Sequence, residues 1–367
     1  MMKTYLFSLC HPAHYHMFKH LMRYLSDKGN KVVVVVRPKD VLERLCDEAG
    51  LSYYSAGHYT DNLGLLGKAL FIFRRINAIG RIVRKEKPCM LIGSDGVLAH
   101  FGFRSRIPSF EFNDDDYKVV RLYAHLYYPF FTDIVSPRVT DVGRWKKKKK
   151  TEYEGFQKLA YLHPNCFTPD KSVVEKYFTS DKPYFLLRFA RLTAHHDKGI
   201  RGIDSEVAVH LVEMLKPYGD VYITAERELE PQLEPYRLHI DPLDMHHVLA
   251  FAQLFVGDSQ SMSVEAAMLG TPSLRYNDFA GKISVLEELE HKYELTFAFP
   301  TSQPQRLYEK VETLLAMPAL RETFQQRRQK MLSEKIDVTA FFNWFIENYP
   351  ESRKIMHEQP DYQWRFR

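Results

Sequence analysis

Leu254-Phe255-Val256-Gly257-Asp258-Ser259-Gln260-Ser261-Met262-Ser263-Val264-Glu265-Ala266-Ala267-Met268-Leu269-Gly270-Thr271-Pro272 decides the reading of this chain. It runs as a short apolar strand, a turn of glycine and small polar residues, an Ala-rich helix, and Gly-x-Pro ahead of another strand. A helix that opens at about Ser261 turns its unpaired N–H groups and the positive end of its dipole toward the turn. Such a turn is a ready site for phosphate. Counting Ser261 as the cap, Glu265 falls at the fourth helical position, one beyond the capping-box place, so capping does not account for it. Its carboxylate could accept hydrogen bonds from sugar hydroxyls. The plain alternative is that every α/β protein needs strand–turn–helix units.

Working outward, strands and helices alternate on both sides of this stretch. In the first half the pattern predicts strands at Thr4–Ser8, Lys31–Arg37, Tyr53–Ala56, Cys89–Gly93, Pro108–Glu111 and Asp133–Val135. Helices are expected at His14–Lys28, Val41–Ala49, Leu63–Glu86 and Tyr117–Tyr127. The unbroken valines of Lys31–Arg37 suit a strand covered on both faces. The second half repeats the scheme, with strands at Tyr184–Arg188, Asp220–Thr224, Ser273–Tyr276 and Phe297–Phe299. Helices are expected there at Ser205–Leu215, Glu230–Tyr236, Met245–Phe251, Ser284–Glu290 and Arg306–Leu315. This βαβα order implies parallel, doubly wound sheets. A polar, Pro-containing stretch from His163 to Lys182 marks a junction. The expected division is 1–165, 166–335, and a terminal segment 336–367 whose aromatic helix Asp337–Glu347 returns to the first domain.

The 367 residues are long enough for two domains with substantial cores. Hydrophobic and charged shares of 45% and 26% are those of a soluble globular protein. The four cysteines form no CxxC pair, which points to reduced thiols rather than a disulfide framework or a zinc site. The apolar run Tyr5–Cys10 ends at once in His11-Pro12, and no stretch approaches the ~20 apolar residues a bilayer span needs. A cytoplasmic protein is expected, working at the inner face of the membrane if its acceptor is lipid-linked. The net charge of +5 is unevenly spread. One concentration is Lys146–Lys150 after Trp145, expected as an exposed loop. Another is the stretch from Leu63 to Lys87, a basic amphipathic helix that would suit anionic lipid or, more plainly, a core-facing helix with a solvated basic face. The basic runs are too short for a nucleic-acid module.

Four further segments join the first: His11-Pro12-Ala13-His14, Tyr153-Glu154-Gly155-Phe156-Gln157-Lys158-Leu159-Ala160-Tyr161-Leu162-His163-Pro164, the run from Arg188 to Gly199, and that from Leu269 to Asp278. Together they resemble the domain-of-unknown-function family numbered 354 in the GT-B superfamily. That superfamily includes glycosyltransferases and the non-hydrolysing UDP-GlcNAc 2-epimerases. The resemblance spans about residues 3 to 335. It implies two Rossmann-like domains facing a cleft, a diphosphate held at Ser259, Gln260 and Ser261, and a ribose on Glu265. It also places Arg188 and His196, with Arg191 beside them, at the diphosphate, and Asn277 and Asp278 beside the donor sugar. Asp258-Ser259-Gln260 departs from the glycines many transferases carry there.

Other residues are candidates on chemistry alone. His14 follows the first strand and could deprotonate an acceptor hydroxyl, since a histidine titrates near neutrality. Asp95, between Gly93-Ser94 and Gly96, is the other candidate base; a turn aspartate is its ordinary alternative. Arg188 and its neighbours could stabilise a departing diphosphate. Asn113-Asp114-Asp115-Asp116 is expected to cap a helix rather than bind metal. His246-His247 lacks a third ligand at usable spacing, so neither a metal nor a cofactor is expected. Three functions fit: a metal-independent glycosyltransferase with a nucleotide-diphosphate sugar donor and a saccharide or lipid-linked acceptor, serving cell-surface polysaccharide or glycolipid assembly; a nucleotide-sugar 2-epimerase using Asp95 with Glu111 or Asp114; and a non-catalytic nucleotide-binding subunit.

Overall fold

The computed structural model describes residues 2–38, 41–56, 65–178, 180, 182–190 and 201–367. The chain divides into two compact units, Met1–Cys166 with Ile336–Arg367, and Phe167–Lys335.

The first unit holds seven parallel strands: β1 (Thr4–Leu9), β2 (Lys31–Val36), β3 (Tyr53–Ser55), β4 (Met90–Ile92), β5 (Ser109–Phe112), β6 (Asp133–Pro137) and β7 (Lys150–Tyr153). Their spatial order is β3-β2-β1-β4-β5-β6-β7. The order reverses between β1 and β4, where Leu6 pairs with Leu91. Leu6, Val33, Val35 and Leu91 on one sheet face pack against Ile79, Ile82 and Val83 of helix Leu65–Glu86. The aromatic helix Val338–Glu347 belongs to this unit, with Phe342 against Phe112 (ring centroids 4.8 Å apart) and Phe341 against Tyr153 (5.6 Å).

The second unit holds five parallel strands: β8 (Tyr184–Phe189), β9 (Asp220–Ala225), β10 (Leu254–Gly257), β11 (Ser273–Tyr276) and β12 (Thr296–Phe299), in the order β12-β11-β10-β8-β9. Here the reversal lies between β8 and β10, and the register sets Gly257 opposite Arg188. Ligands of open α/β sheets lie outside the carboxyl ends of the strands at such reversals.

Three expectations need correction. Lys146–Lys150 is exposed only at Lys146, Lys147 and Lys148 and is no loop: Lys146–Lys149 is a short helix after the buried Trp145, and Lys150 opens β7 with its ammonium on the carbonyls of Arg138 (2.9 Å) and Thr140 (2.8 Å). Burial lowers the Lys150 pKa to about 8. An ammonium carries three donors and can satisfy such carbonyls, while a run of identical residues hides which one alternates inward. The acidic run 114–116 caps nothing, because the next helix opens at Arg121 behind Val120. Asp116 instead accepts from Asp141 N (2.7 Å), and Asp114 pairs with Lys158 (3.4 Å). Helices Gly96–Ser105 and Leu320–Glu334 are additional to those the pattern predicts.

Candidate functional site

At the end of β10 the chain makes a tight passage past β8. A Cβ at Gly257 would lie 3.0 Å from the Arg188 carbonyl oxygen and 3.1 Å from the Arg188 Cβ, so the position favours glycine. Ser259 then caps helix Gln260–Leu269, its Oγ accepting from Met262 N (3.4 Å) while its carbonyl accepts from Ser263 N (3.3 Å). This leaves the N–H groups of Gln260 and Ser261, among the described residues, available to a ligand. The helix carries no acidic residue in its first turn to neutralise the dipole.

Two side chains add donors to this corner. Arg188 pairs with Glu226, yet its Nε is buried without a partner among the described residues. Gln260 accepts from Arg275 Nη1 (3.1 Å) through Oε1, and its buried Nε2 has no partner among the described residues. Arg275 is itself 1% exposed, 3.4 Å from Glu290. Burial lowers its pKa to about 10, so it stays cationic at neutral pH beside the helix start.

Asp258 turns the other way. Its Oδ1 accepts from Ala190 N (2.6 Å) and its Oδ2 from Ile203 N (3.2 Å). One carboxylate thus grips both ends of the segment that follows β8, and burial raises its pKa to about 6. Asp278 holds the same segment near its end, accepting from Arg201 N and Nε (3.3 Å each). Asn277 is buried and donates to the Asp258 carbonyl (3.0 Å). Glu265 is 7% exposed, and its Oε1 lies 3.4 Å from His246 Nε2. The Phe167 ring stands 6.1 Å from that of His246 and 4.8 Å from that of His247.

The first unit has its own polar cluster, at the ends of β1 and β4. His11 caps helix Pro12–Asp27, accepting from Ala13 N through Nδ1 (3.2 Å). His14 Nδ1 accepts from Cys10 N (3.2 Å), so the neutral ring carries its proton on Nε2. Burial, with the charges of His11 and Arg37, lowers its pKa to about 3. Asp95 caps helix Gly96–Ser105 and receives hydrogen bonds from Ser8 Oγ and Arg75 Nη2, both at 2.6 Å. Burial opposes its ionisation, but Arg75 and Ser8 win and hold its pKa at about 2. Glu111, at β5, is buried and accepts from Tyr123 OH (2.9 Å). Burial pushes its pKa well up, aided by the charges of Asp95 and Asp115.

The model of a family described as protein of unknown function (DUF354) matches residues 5–284. The chain belongs to that family. No curated protein matches it by sequence. Its fold is that of GT-B glycosyltransferases and epimerases. A UDP-N-acetylglucosamine 2-epimerase from Rickettsia bellii is similar with a TM-score of 0.66 at 16% identity, covering 97% of this chain and 98% of that one. The glycotransferase of kitacinnamycin is similar at 0.59 and 15%, covering 94% and 98%. A UDP-GlcNAc 2-epimerase from Neisseria meningitidis, bound to UDP-GlcNAc, gives 0.56 and 13%, covering 90% and 100%.

In this DUF354 chain the structure brings Arg188, Ser259, Gln260 and Ser261 to one corner of the second sheet. Asn277 and Asp278 lie at the end of the neighbouring β11, but their side chains brace backbone. His196 and Arg191 fall outside the described residues. His14, with Nδ1 taken by Cys10 N, presents an Nε2–H rather than a free lone pair, and Asp95 is ionised but engaged by Ser8 and Arg75. Sequence reasoning missed Arg75, Asp258 and Arg275. Each is a buried charge whose partner lies far along the chain, and only the spacing Asp258-Ser259 beside a strand end gave any signal. Among the described residues no three His, Cys, Asp or Glu side chains are grouped to hold a metal ion.

Proposed function

We propose that the chain is an enzyme of nucleoside-diphosphate sugars, and that it transfers the sugar to an acceptor without a metal. The observation that carries this is the corner at Arg188 and Ser259: two first-turn amides, with an arginine Nε and an amide nitrogen that find no partner among the described residues, and no acidic residue in the helix's first turn. A diphosphate supplies the oxygens such donors lack, and an arginine can grip two of them. When the bond from the sugar to the diphosphate breaks, charge grows on the departing oxygen, and preorganised donors favour that state over the ground state. Glu265 with His246 would receive the nucleoside. His14 would orient an acceptor oxygen through its Nε2–H. The pairings of Phe167 with His246 and His247 suit a flat base as neighbour.

A second reading rests on Glu111. A carboxyl whose pKa burial pushes well up, within the field of Asp95 whose pKa Arg75 and Ser8 hold down, is a pair of groups with proton affinities pushed apart, which suits moving protons at a sugar ring as a 2-epimerase must.

A thermal-shift series with UDP, GDP, CDP and ADP sugars tests the shared part. A ligand at 100 times its dissociation constant adds ~2.7 kcal/mol, and Arg188→Ala should erase the change in melting temperature. If no nucleoside diphosphate moves the melting temperature, the proposal fails. Incubation in deuterated water without acceptor separates the two readings: deuterium entering an isomerised sugar favours the epimerase, and acceptor-dependent release of the nucleoside diphosphate favours the transferase.

A further inference from the structure

Helices Gly96–Ser105 and Arg121–Tyr127 pack side by side in the first unit. Inward, Ala99 of one and Ala124 of the other share a buried cluster with Tyr128 and Phe131. Outward, Phe103 is 67%, Leu122 60% and Leu126 49% exposed. These residues form one surface. Leu122, Leu126 and Phe130 follow at spacings of four, so they stand in a row along the second helix and the turn that continues it, where Phe130 N donates to the Tyr127 carbonyl (3.0 Å). The half-buried Phe130 ring meets the ring of Phe103 with centroids 5.4 Å apart, and that of His100 at 4.5 Å. His100 and Phe103 are three residues apart and share the outer face of the first helix. Large apolar side chains joined in this way are not scattered surface residues.

The charges flanking this surface name the occupant. The chain holds no acid from Gly96 to Phe110 or from Tyr117 to Thr132, while Arg104, Arg106, Lys118 and Arg121 are exposed. The lysine run borders the far end of the row. Lys149 Nζ donates to the carbonyls of Pro129 (2.7 Å) and Phe131, which sets the short helix bearing the exposed Lys146, Lys147 and Lys148 beside the Phe130 turn. The exposed acid before that helix, Asp141, turns an oxygen to Gly143 N (2.8 Å). We propose that this pair of helices docks on an anionic lipid bilayer, with Phe103, Leu122 and Leu126 entering the headgroup boundary and the surrounding arginines and lysines on the lipid phosphates. Apolar insertion joined to basic neighbours is the physics of interfacial helices. A second copy of the chain is the poorer occupant, because a two-fold contact here would set Arg104 and Arg121 against like charges. The inference stands apart from the donor site, because it uses none of its residues.

Cosedimentation with vesicles tests it. Wild-type protein should pellet with 70% phosphatidylcholine and 30% phosphatidylglycerol, but not with phosphatidylcholine alone, and less so in high salt. Phe103→Ser with Leu126→Ser, one change on each helix, should weaken partition about tenfold or more. Arg104→Gln with Arg121→Gln should weaken it about fivefold per charge. The circular-dichroism spectrum and melting temperature of both variants should match wild type, since the altered side chains face solvent. The arginine variant removes no apolar packing, so it decides the matter if the apolar one loses stability. Absence of pelleting with anionic vesicles overturns the proposal, as does wild-type pelleting of either folded variant. It is also overturned if the apolar variant abolishes a concentration-dependent dimer in a protein that ignores vesicles, for the surface then joins copies of this chain.

Discussion

At Gly93–Val97 and at Gly257–Met262 the chain makes the same local passage, from strand end through a small turn into a helix, and the two turns treat their polar groups in opposite ways. In the first, Asp95 caps the helix, takes the Ser8 hydroxyl and lies against Arg75, which in turn donates to the Ala56 carbonyl (3.0 Å). That network is closed. In the second, Ser259 does the capping and Asp258 faces back into the fold, while Arg188 Nε and Gln260 Nε2 find no partner among the described residues. A buried donor without an acceptor costs free energy. A closed network is what stability alone produces, whereas unmatched donors around a helix start are what a ligand site needs.

The largest expected effect tests the closed half. Asp95→Ala would strand the Arg75 charge, which is 3% exposed, and should cost about 3–5 kcal/mol in urea denaturation. A loss below 1 kcal/mol would mean the network is not closed. Next, Asp258→Ala removes the acceptor shared by Ala190 and Ile203 and should cost about 2 kcal/mol. It should also weaken sugar-nucleotide affinity, because the segment between those residues carries His196.

pH sharpens the contrast. Asp95 has its pKa depressed to about 2, so its stabilisation is full above its unfolded value near 4 and fades as pH falls from 4 to 2. Asp258 is raised to about 6, so keeping it ionised at neutral pH offsets part of what its hydrogen bonds contribute, and that cost lifts as pH falls from 6 to 4. Every tenfold difference in proton affinity between the folded and unfolded chains is worth about 1.4 kcal/mol. Urea midpoints should therefore lose their fall below pH 4 in Asp95→Asn and lose their gain between pH 6 and 4 in Asp258→Asn. Unchanged profiles in either variant would contradict the assignment. The smallest stability effect belongs to the open half: Arg188→Ala should move the unliganded melting free energy by under about 0.5 kcal/mol while erasing the nucleotide-induced rise in melting temperature. A large loss of stability without ligand would make Arg188 a structural residue.

How much of this was legible in the chain differs between fold and site. The alternation of apolar runs with amphipathic ones carried the two parallel sheets, and the motif at Leu254–Pro272 carried its strand, turn and helix, although Ser259 rather than Ser261 is the cap, which sets Glu265 at the sixth helical position instead of the fourth. Helix Gly96–Ser105 escaped because its Gly, His and Phe composition carries little propensity. It packs instead through Gly96, where a Cβ would meet the Tyr127 ring at 2.4 Å. The stretch from Leu63 to Lys87 read as an amphipathic helix with a basic face, yet Arg75 turns inward while Ile72 and Phe73 are exposed.

The sequence by itself determined the α/β alternation, the small residues that let β10 pass β8, and the cationic character of helix Leu65–Glu86, since all three are local properties of composition and period. Tertiary structure alone decided which acid is spent on which cation. Arg75 with Asp95 and Ala190 with Asp258 are 20 and 68 residues apart. A charge's role depends on the partner that desolvates or satisfies it, and that partner is fixed only once the strands are paired.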